Sequence, residues 1–277
     1  MPLVSSTEMI NAAQKGKYAV PAFNAENLEM VQAIAEAAEI TKSPVIIQTT
    51  PTTVAYINLD AAVAMVNAIA KKTLIPIALH LDHSEVFADV MKAIKAGYTS
   101  LMIDGSKLPL ADNIKLTKSV VNVARPMGLS VEAELGTLSG KEDGLDVKES
   151  VYTDVNEAIR FTQETGVDML AVAIGTAHGF YKGTPHIDFS RLEEIGRQVS
   201  VPLVLHGGSG LPDEMVKKAI DLGINKVNFA TELRATATEA VRQVLQQNSV
   251  IDPKVYMGKA REAVKELCIQ KIKLCTG

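Results

Sequence analysis

Ile75-Pro76-Ile77-Ala78-Leu79-His80-Leu81-Asp82-His83-Ser84 places an apolar run directly before three ionisable side chains. The run reads as a buried strand, and charged groups at its end are costly unless paired, hydrogen-bonded or bound to a metal. Two of the five histidines in the chain lie here. Period-2 alternation puts His80 and Asp82 on one face, and His83 falls where the strand gives way to a loop. A carboxylate beside an imidazole at a strand end suits a metal ligand next to a general acid or base. A pair of satisfied polar core residues is the alternative reading of this stretch alone.

The same pattern of short apolar runs, alternating with longer amphipathic ones, continues in both directions. Strands are expected at Tyr18–Phe23, Val45–Thr49, Ile75–Leu81, Ser100–Asp104, Ser130–Leu135, Met169–Gly175, Pro202–His206 and Lys226–Phe229. Helical patterns fill the gaps, among them Leu28–Ile40 and Leu59–Lys71. Ser84 reads as the cap of a helix running to Ala96, with Gly97 as its stop. Thr153-Asp154 opens a helix ending at Gly166, and Pro212-Asp213-Glu214 opens one closed by Gly223. Long helices from Thr231 and from about Asp252 complete the chain. Strand–helix units repeated in this way, with no composition break or Pro/Ser-rich linker, predict an α/β protein of the (β/α)8 TIM-barrel type. A doubly wound open sheet, which more often uses fewer strands, is the alternative. Residues 1–277 are read as a single barrel domain with a C-terminal helical extension. The one long irregular connection, Gly136 to Thr153, has the character of a functional lid.

A barrel of this kind places its chemistry at the C-terminal ends of its strands. Those ends, in order, carry Asn24, Thr49 and Thr50, Asp82 and His83, Asp104, Glu134, His178, His206 and Asn228. The opposite ends carry Pro44, Pro76, Pro202 and small residues. Loops that were merely polar would enrich both ends, so the asymmetry points to one site at one mouth. Composition agrees with the fold: 47% hydrophobic with 4% aromatic residues leaves small aliphatic side chains to fill strands buried on both faces. A net charge of −4 with interspersed signs offers no basic stripe for nucleic acid or membrane. Cys268 and Cys275, two helical turns apart, are too distant for a bridge and read as reduced packing residues. No charged and apolar leader opens the chain, and no apolar run approaches the ~18 residues of a membrane span. A soluble, cytoplasmic protein is expected.

His83, His178 and His206 come from three strand ends that a closed barrel would bring together, as three imidazole ligands of a catalytic metal with an open fourth position. His80 would be an orienting partner, and His186 a solvated loop residue. Glu132 and Glu134, on one strand face, would orient imidazoles, coordinate the metal, or pair with cations such as Lys107. Asp104 is a similar candidate, or an Asx-turn residue. Glycine-rich turns, His178-Gly179, His206-Gly207-Gly208-Ser209-Gly210 and Asn228-Phe229-Ala230-Thr231, follow the last three strands, where backbone N–H groups and helix N-termini favour phosphate. Metal and phosphate at one mouth suggest a phosphorylated substrate whose carbonyl is polarised: metal-dependent aldol cleavage, or isomerisation of similar substrates.

YAVPAFN, LHLDHS, MIDGS, VEAELG, AIGTAHG, VLHGGSG and KVNFATEL, in this order, resemble the class II, zinc-dependent ketose-bisphosphate aldolases over nearly the whole chain. The resemblance implies Zn2+ on His83, His178 and His206, with Glu134 as a metal-associated carboxylate; Asp104 stays a further metal candidate from its place at a strand end. It implies Asp82 as the acid/base for the hydroxyl at the breaking bond. Gly179, Gly207, Gly208, Ser209, Asn228, Phe229, Ala230 and Thr231 would hold dihydroxyacetone phosphate, helped by Asn24. Glu142, in Gly140-Lys141-Glu142-Asp143-Gly144, matches the base for the C1 proton of that product. Arg261 would bind the aldehyde-side phosphate at a neighbouring subunit's site, or is a solvated helix arginine. A Na+ or K+ near the phosphate, and a homodimer or homotetramer, are also implied.

AIGTAHG and KVNFATEL look like the tagatose-bisphosphate branch, whereas Gly207–Gly210 and Gly258–Arg261 lean to the fructose type. Thr49-Thr50-Pro51-Thr52-Thr53 matches neither, so a phosphorylated ketose with a sugar-acid or sulfonate end stays open. Three rival readings fit the sequence less well. A Schiff-base aldolase needs a lysine at a strand end, and Lys107 and Lys182 lie in loops. A zinc hydrolase would usually carry His-x-His on the first strand, which here ends Phe23-Asn24. A non-catalytic helper subunit is disfavoured because Asp82, Glu142 and the three histidines are all present; such a helper remains a candidate partner.

Overall fold

In the computed structural model the described residues are 3–142, 145–147, 150–181, 183–246 and 249–277, with the backbone alone described at 141, 142 and 145–147. Eight parallel strands close into a barrel: β1 (Val20–Asn24), β2 (Val45–Thr49), β3 (Ile77–Ser84), β4 (Ser100–Ile103), β5 (Ser130–Leu135), β8 (Met169–Val172), β10 (Leu203–Leu205) and β11 (Ile224–Phe229). The eight expected strands are these, in sequence order around the ring. β1 is joined to β11 from Val20–Lys226 to Phe23–Phe229, which closes the circle.

Alternation sorts the side chains. Phe23, Ile47, Leu79, Leu101, Val131, Leu170, Leu205 and Val227 point outward and bury themselves under the helices. Val20, Ala22, Ile46, Ala78, Met169, Ala171 and Val204 point inward and form a separate apolar cluster. That cluster is completed by Met9, Ile10 and Ala13 from the first helix, α1 (Ser6–Gly16), which plugs the N-terminal end. Ser6 also bonds the Ser100 and Ser130 hydroxyls, at 2.9 and 2.7 Å. The interior thus changes from apolar and hydroxyl-lined at the plugged end to ionisable at the open one.

Of the helix starts expected at Ser84 and at Thr153-Asp154, the second holds and the first does not. α2 (Leu28–Thr41) starts on the Asn27 side chain, α7 (Val155–Thr165) on Asp154, and α11 (Pro253–Thr276) on Asp252. α11 follows α10 (Thr231–Leu245) and packs against both α10 and α2. Ser84 is not a helix cap. It is buried, ends β3 opposite Ile103, and donates to the Val86 carbonyl, so α5 (Phe87–Ala96) begins three residues later with no side-chain cap. A register shift between Leu81 and Ser84 prolongs the strand past the expected end.

The irregular connection holds more order than its sequence suggests. β6 (Ser139–Glu142) and β7 (Leu145–Val147) form an antiparallel pair, and β6 also runs parallel to β9 (Ala177–His178). This small sheet sits outside the barrel ring and ties the connection to a histidine-bearing segment. Cys268 and Cys275 are buried and unbridged. Among the described residues no single helix is long and apolar enough to cross a membrane.

Candidate active site

Alternation alone would turn His83 away from Asp82 and into the helix layer. The register shift in β3 and a left-handed backbone at His83 (φ 49°) bring it to the mouth instead. There its ring lies 4.5 Å from that of His206 and 5.1 Å from that of His178, centroid to centroid. One nitrogen from each of the three imidazoles falls within 4.8 Å of the others. Each strand or segment delivers one ligand, so the cluster exists only in the closed barrel.

The carboxylates decide which nitrogen faces the cluster. His83 Nδ1 donates to Asp104 Oδ2 at 3.0 Å, which leaves the lone pair on Nε2. His206 Nε2 donates to Glu132 Oε1 at 2.7 Å, so its lone pair is on Nδ1. That buried Nδ1 has no hydrogen-bond partner and lies 3.4 Å from Glu134 Oε2. Burial and then the neighbouring His83 push His206 below the ordinary histidine range, which favours the neutral, metal-binding imidazole. An orphaned acceptor among imidazoles and carboxylates is a donor set that fits Zn2+. Asp104 and Glu134 also group with His83 closely enough to share an ion.

Asp104 serves both sequence readings at once, since it accepts from His83 and from the Ser106 amide. Burial opposes its ionisation, but the His83 and Ser106 hydrogen bonds outweigh it and hold the carboxyl well below the usual range. Asp82 is fully buried in a ring of amides. It accepts from Gln48 at 2.8 Å, Asn24 at 3.4 Å and Asn228 at 3.3 Å, and Gln48 also donates to Asn24 at 2.8 Å. His80, beneath it, bonds Ser100 at 2.6 Å, and burial followed by the Lys226 charge keeps it well below the ordinary range.

Lys226 went unrecognised in the sequence, although it shares the inward face of β11 with Asn228. It is fully buried and donates to Glu132 Oε2 at 2.7 Å. Burial works against a charged Glu132, yet the Lys226 ammonium and the His206 hydrogen bond hold its carboxyl well below the usual range. The expected partner Lys107 is instead paired with Glu85, at 2.6 Å and half-exposed. Gln48 and Tyr181 were likewise missed; a glutamine inside a hydrophobic strand was the available signal for the first.

On the β9–β11 side, His178, Gly179, Gly207, Ser209, Asn228, Ala230 and Thr231 line one small recess. Ser209 Oγ accepts from the Ala230 and Glu232 amides and so fixes the start of α10 at that recess. Two expected members are turned elsewhere. The Gly208 amide bonds the Asn228 carbonyl, and the Phe229 ring is buried under the helices against Phe23. On the β2–β5 side a cavity of about 320 Å3 opens from His83 and His178 to Pro51, Thr52, Ser106 and Lys107. Arg261 lies in the helix layer, where it pairs with Glu36 and Gln32 of α2. Glu142 ends β6, but its side chain lies outside the described residues, as does Lys182. His186 is exposed.

Ionisable strand ends gathered at one mouth, over a plugged and packed interior, make this a barrel enzyme. The profile of the family described as Fructose-bisphosphate aldolase class-II matches residues 4–277. The chain is 37% identical to the YdjI aldolase from Escherichia coli K12, with a TM-score of 0.88, over 99% of this chain and 97% of that one. A putative fructose-1,6-biphosphate aldolase from Coccidioides immitis is 28% identical with a TM-score of 0.88, over 97% and 94% of the two chains. Fructose-bisphosphate aldolase from Campylobacter jejuni shares the fold at 21% identity and a TM-score of 0.84, over 99% and 95%. The chain belongs to the class II fructose-bisphosphate aldolase family and is a lyase.

The buried Lys226–Glu132 pair gives a first prediction. Lys226→Met should lower unfolding free energy by about 3–5 kcal/mol in urea, because Glu132 is left as a buried charge without its cation. Adding Glu132→Gln should recover much of that loss; a double variant no more stable than the single one would refute the charge-pair account.

Proposed function

We propose that the chain catalyses reversible aldol cleavage of a ketose 1,6-bisphosphate, tagatose or fructose, to dihydroxyacetone phosphate and glyceraldehyde 3-phosphate. The supporting observation is the shared position of His178: it belongs to the imidazole cluster and to the glycine-lined recess. A carbonyl at the cluster would therefore have its phosphate within reach of the recess and the first turn of α10. Residues 1–277 act as one barrel domain, with α11 as its C-terminal extension.

His83, His178 and His206 would hold Zn2+, which supplies a Lewis acid for the carbonyl oxygen where negative charge develops. Glu132 and Asp104 orient His206 and His83 through the hydrogen bonds they accept. Asn24, Gln48 and Asn228 fix the Asp82 carboxylate below the cluster. Asp82 takes the proton from the C4 hydroxyl oxygen as the C3–C4 bond breaks, and returns it in the synthetic direction. Glu142 delivers a proton to the carbon that becomes C1 of dihydroxyacetone phosphate, and removes it in reverse. A Na+ or K+ beside the phosphate would complete the recess. Dimeric or tetrameric assembly is part of this proposal, and Arg261 would have to leave Glu36 before it could serve a neighbouring site.

A second reading keeps the chemistry and replaces the distal phosphate with a sugar-acid or sulfonate end. Its supporting observation is the cavity beside Pro51 and Thr52, where Lys107 is set against Glu85, Asp89, Asp104 and Glu134, so a singly charged carboxylate or sulfonate meets less repulsion than a doubly charged phosphate. Initial rates with zinc present, comparing kcat/KM for fructose and tagatose bisphosphates with their sugar-acid and sulfonate analogues, separate the two. Chelation should abolish cleavage in either case; activity that survives chelation and is trapped by borohydride would sink the zinc proposal.

Two variants test the proton steps. Asp82→Ala should keep its zinc, measured by metal analysis, and lose cleavage by several orders of magnitude; near-normal turnover would remove its acid/base role. Glu142→Ala should slow exchange of the dihydroxyacetone phosphate C1 proton with solvent more than it weakens binding of that compound. The reverse order of effects would count against Glu142 as the base.

A further inference from the structure

We infer that Tyr181 is a positioning residue: its hydroxyl fastens the segment that carries His178 to the turn that follows His206. The inference rests on the zinc-aldolase function proposed above and adds a residue to it. Tyr181 Oη donates to the Gly207 carbonyl at 2.8 Å and accepts from the Ala177 amide at 3.1 Å. Ala177 immediately precedes His178, and Gly207 immediately follows His206. One oxygen therefore bridges the backbones beside two of the three imidazoles.

The bridge stands where backbone packing is already tight. Gly207 has a φ of 71°, and a Cβ there would fall 2.5 Å from the Ala177 carbonyl oxygen. On its other edge, Ala177–His178 is paired with Ser139–Gly140, and a Cβ on Gly140 (φ 109°) would strike the His178 carbonyl. The His178 segment is thus a two-residue strand with β6 on one side and Gly207 on the other. A strand so short has few ladder bonds to hold it, and the Tyr181 phenol supplies a fixed bond on the side that lacks a partner strand. Its ring lines neither the recess nor the larger cavity, so its route to the site runs through these backbones. Gly207 itself lines the phosphate recess, so slack in this link would disturb metal and phosphate together.

Tyr181→Phe removes the hydroxyl and keeps the ring. Tyr98→Phe is the control, because the Tyr98 hydroxyl is also buried and bonded, to Thr49 at 2.7 Å, away from the His178 segment. Zinc affinity by chelator competition, dihydroxyacetone phosphate affinity by calorimetry, and Tm should be measured on both. Tyr181→Phe should weaken zinc binding by about 10–100-fold and dihydroxyacetone phosphate binding several-fold, while Tyr98→Phe lowers Tm and leaves zinc affinity within about twofold. Zinc affinity unchanged in Tyr181→Phe, or lost equally in Tyr98→Phe, would overturn the role. A wild-type chain that holds no zinc would defeat the zinc proposal alone; the dihydroxyacetone phosphate titration then decides Tyr181, with an unchanged Kd counting against it.

Discussion

The Lys226–Glu132–His206 chain of contacts is the constraint around which the barrel interior is arranged. Lys226 and Glu132 are both fully buried, on strands from different parts of the ring. Neither charge is tolerable there alone. Together they hold a carboxylate ionised inside the barrel, and that carboxylate fixes the tautomer of His206. The ionic pair therefore sets a chemical property of the cluster above it, in addition to filling space between strands.

The interior below and above this pair follows from the same economy. Below it, apolar side chains and the α1 plug exclude water, and the Ser6, Ser100 and Ser130 hydroxyls satisfy one another. Above it, amides from Asn24, Gln48 and Asn228 surround Asp82. Polarity rises toward the open end because only there can solvent or a substrate meet unsatisfied groups. His206 Nδ1 and Asn228 Oδ1, buried and without hydrogen-bond partners, lie at that end.

The segments beside the histidine cluster are tied to the same frame by short links. β6, which ends in Glu142, is hydrogen-bonded to the two residues that include His178. A shift of that hairpin is therefore felt by an imidazole of the cluster, and the reverse. On the opposite edge, the Tyr181 hydroxyl and the close approach of Gly207 limit how far the segment can travel.

Most of the architecture was legible in the chain because burial imposes a period. Eight apolar runs, each followed by an ionisable, amide or hydroxyl residue, specified the barrel, its candidate mouth, and the candidates Asp82, His83, Glu134, His178 and His206. Periodicity describes a strand's faces, and it failed where a residue's position depends on a neighbour. Strict alternation through β3 would point His83 outward; a register shift against β4 and a left-handed φ turn it to the mouth, where its place at the strand end had put it. Ser84 looked like a cap until strand pairing claimed it. Lys226 looked unremarkable because its partner, Glu132, is distant in sequence and meets it only across the closed ring. Tyr181 likewise gains meaning only when Ala177 and Gly207 are brought together. The sequence by itself determined the faces of each strand and which strand ends carry the chemistry-bearing residues, since alternation and strand length are local. The tertiary structure alone decided which of them touch, which nitrogen each histidine presents, and which charges are paired, since those depend on contacts between strands that the chain order does not place side by side.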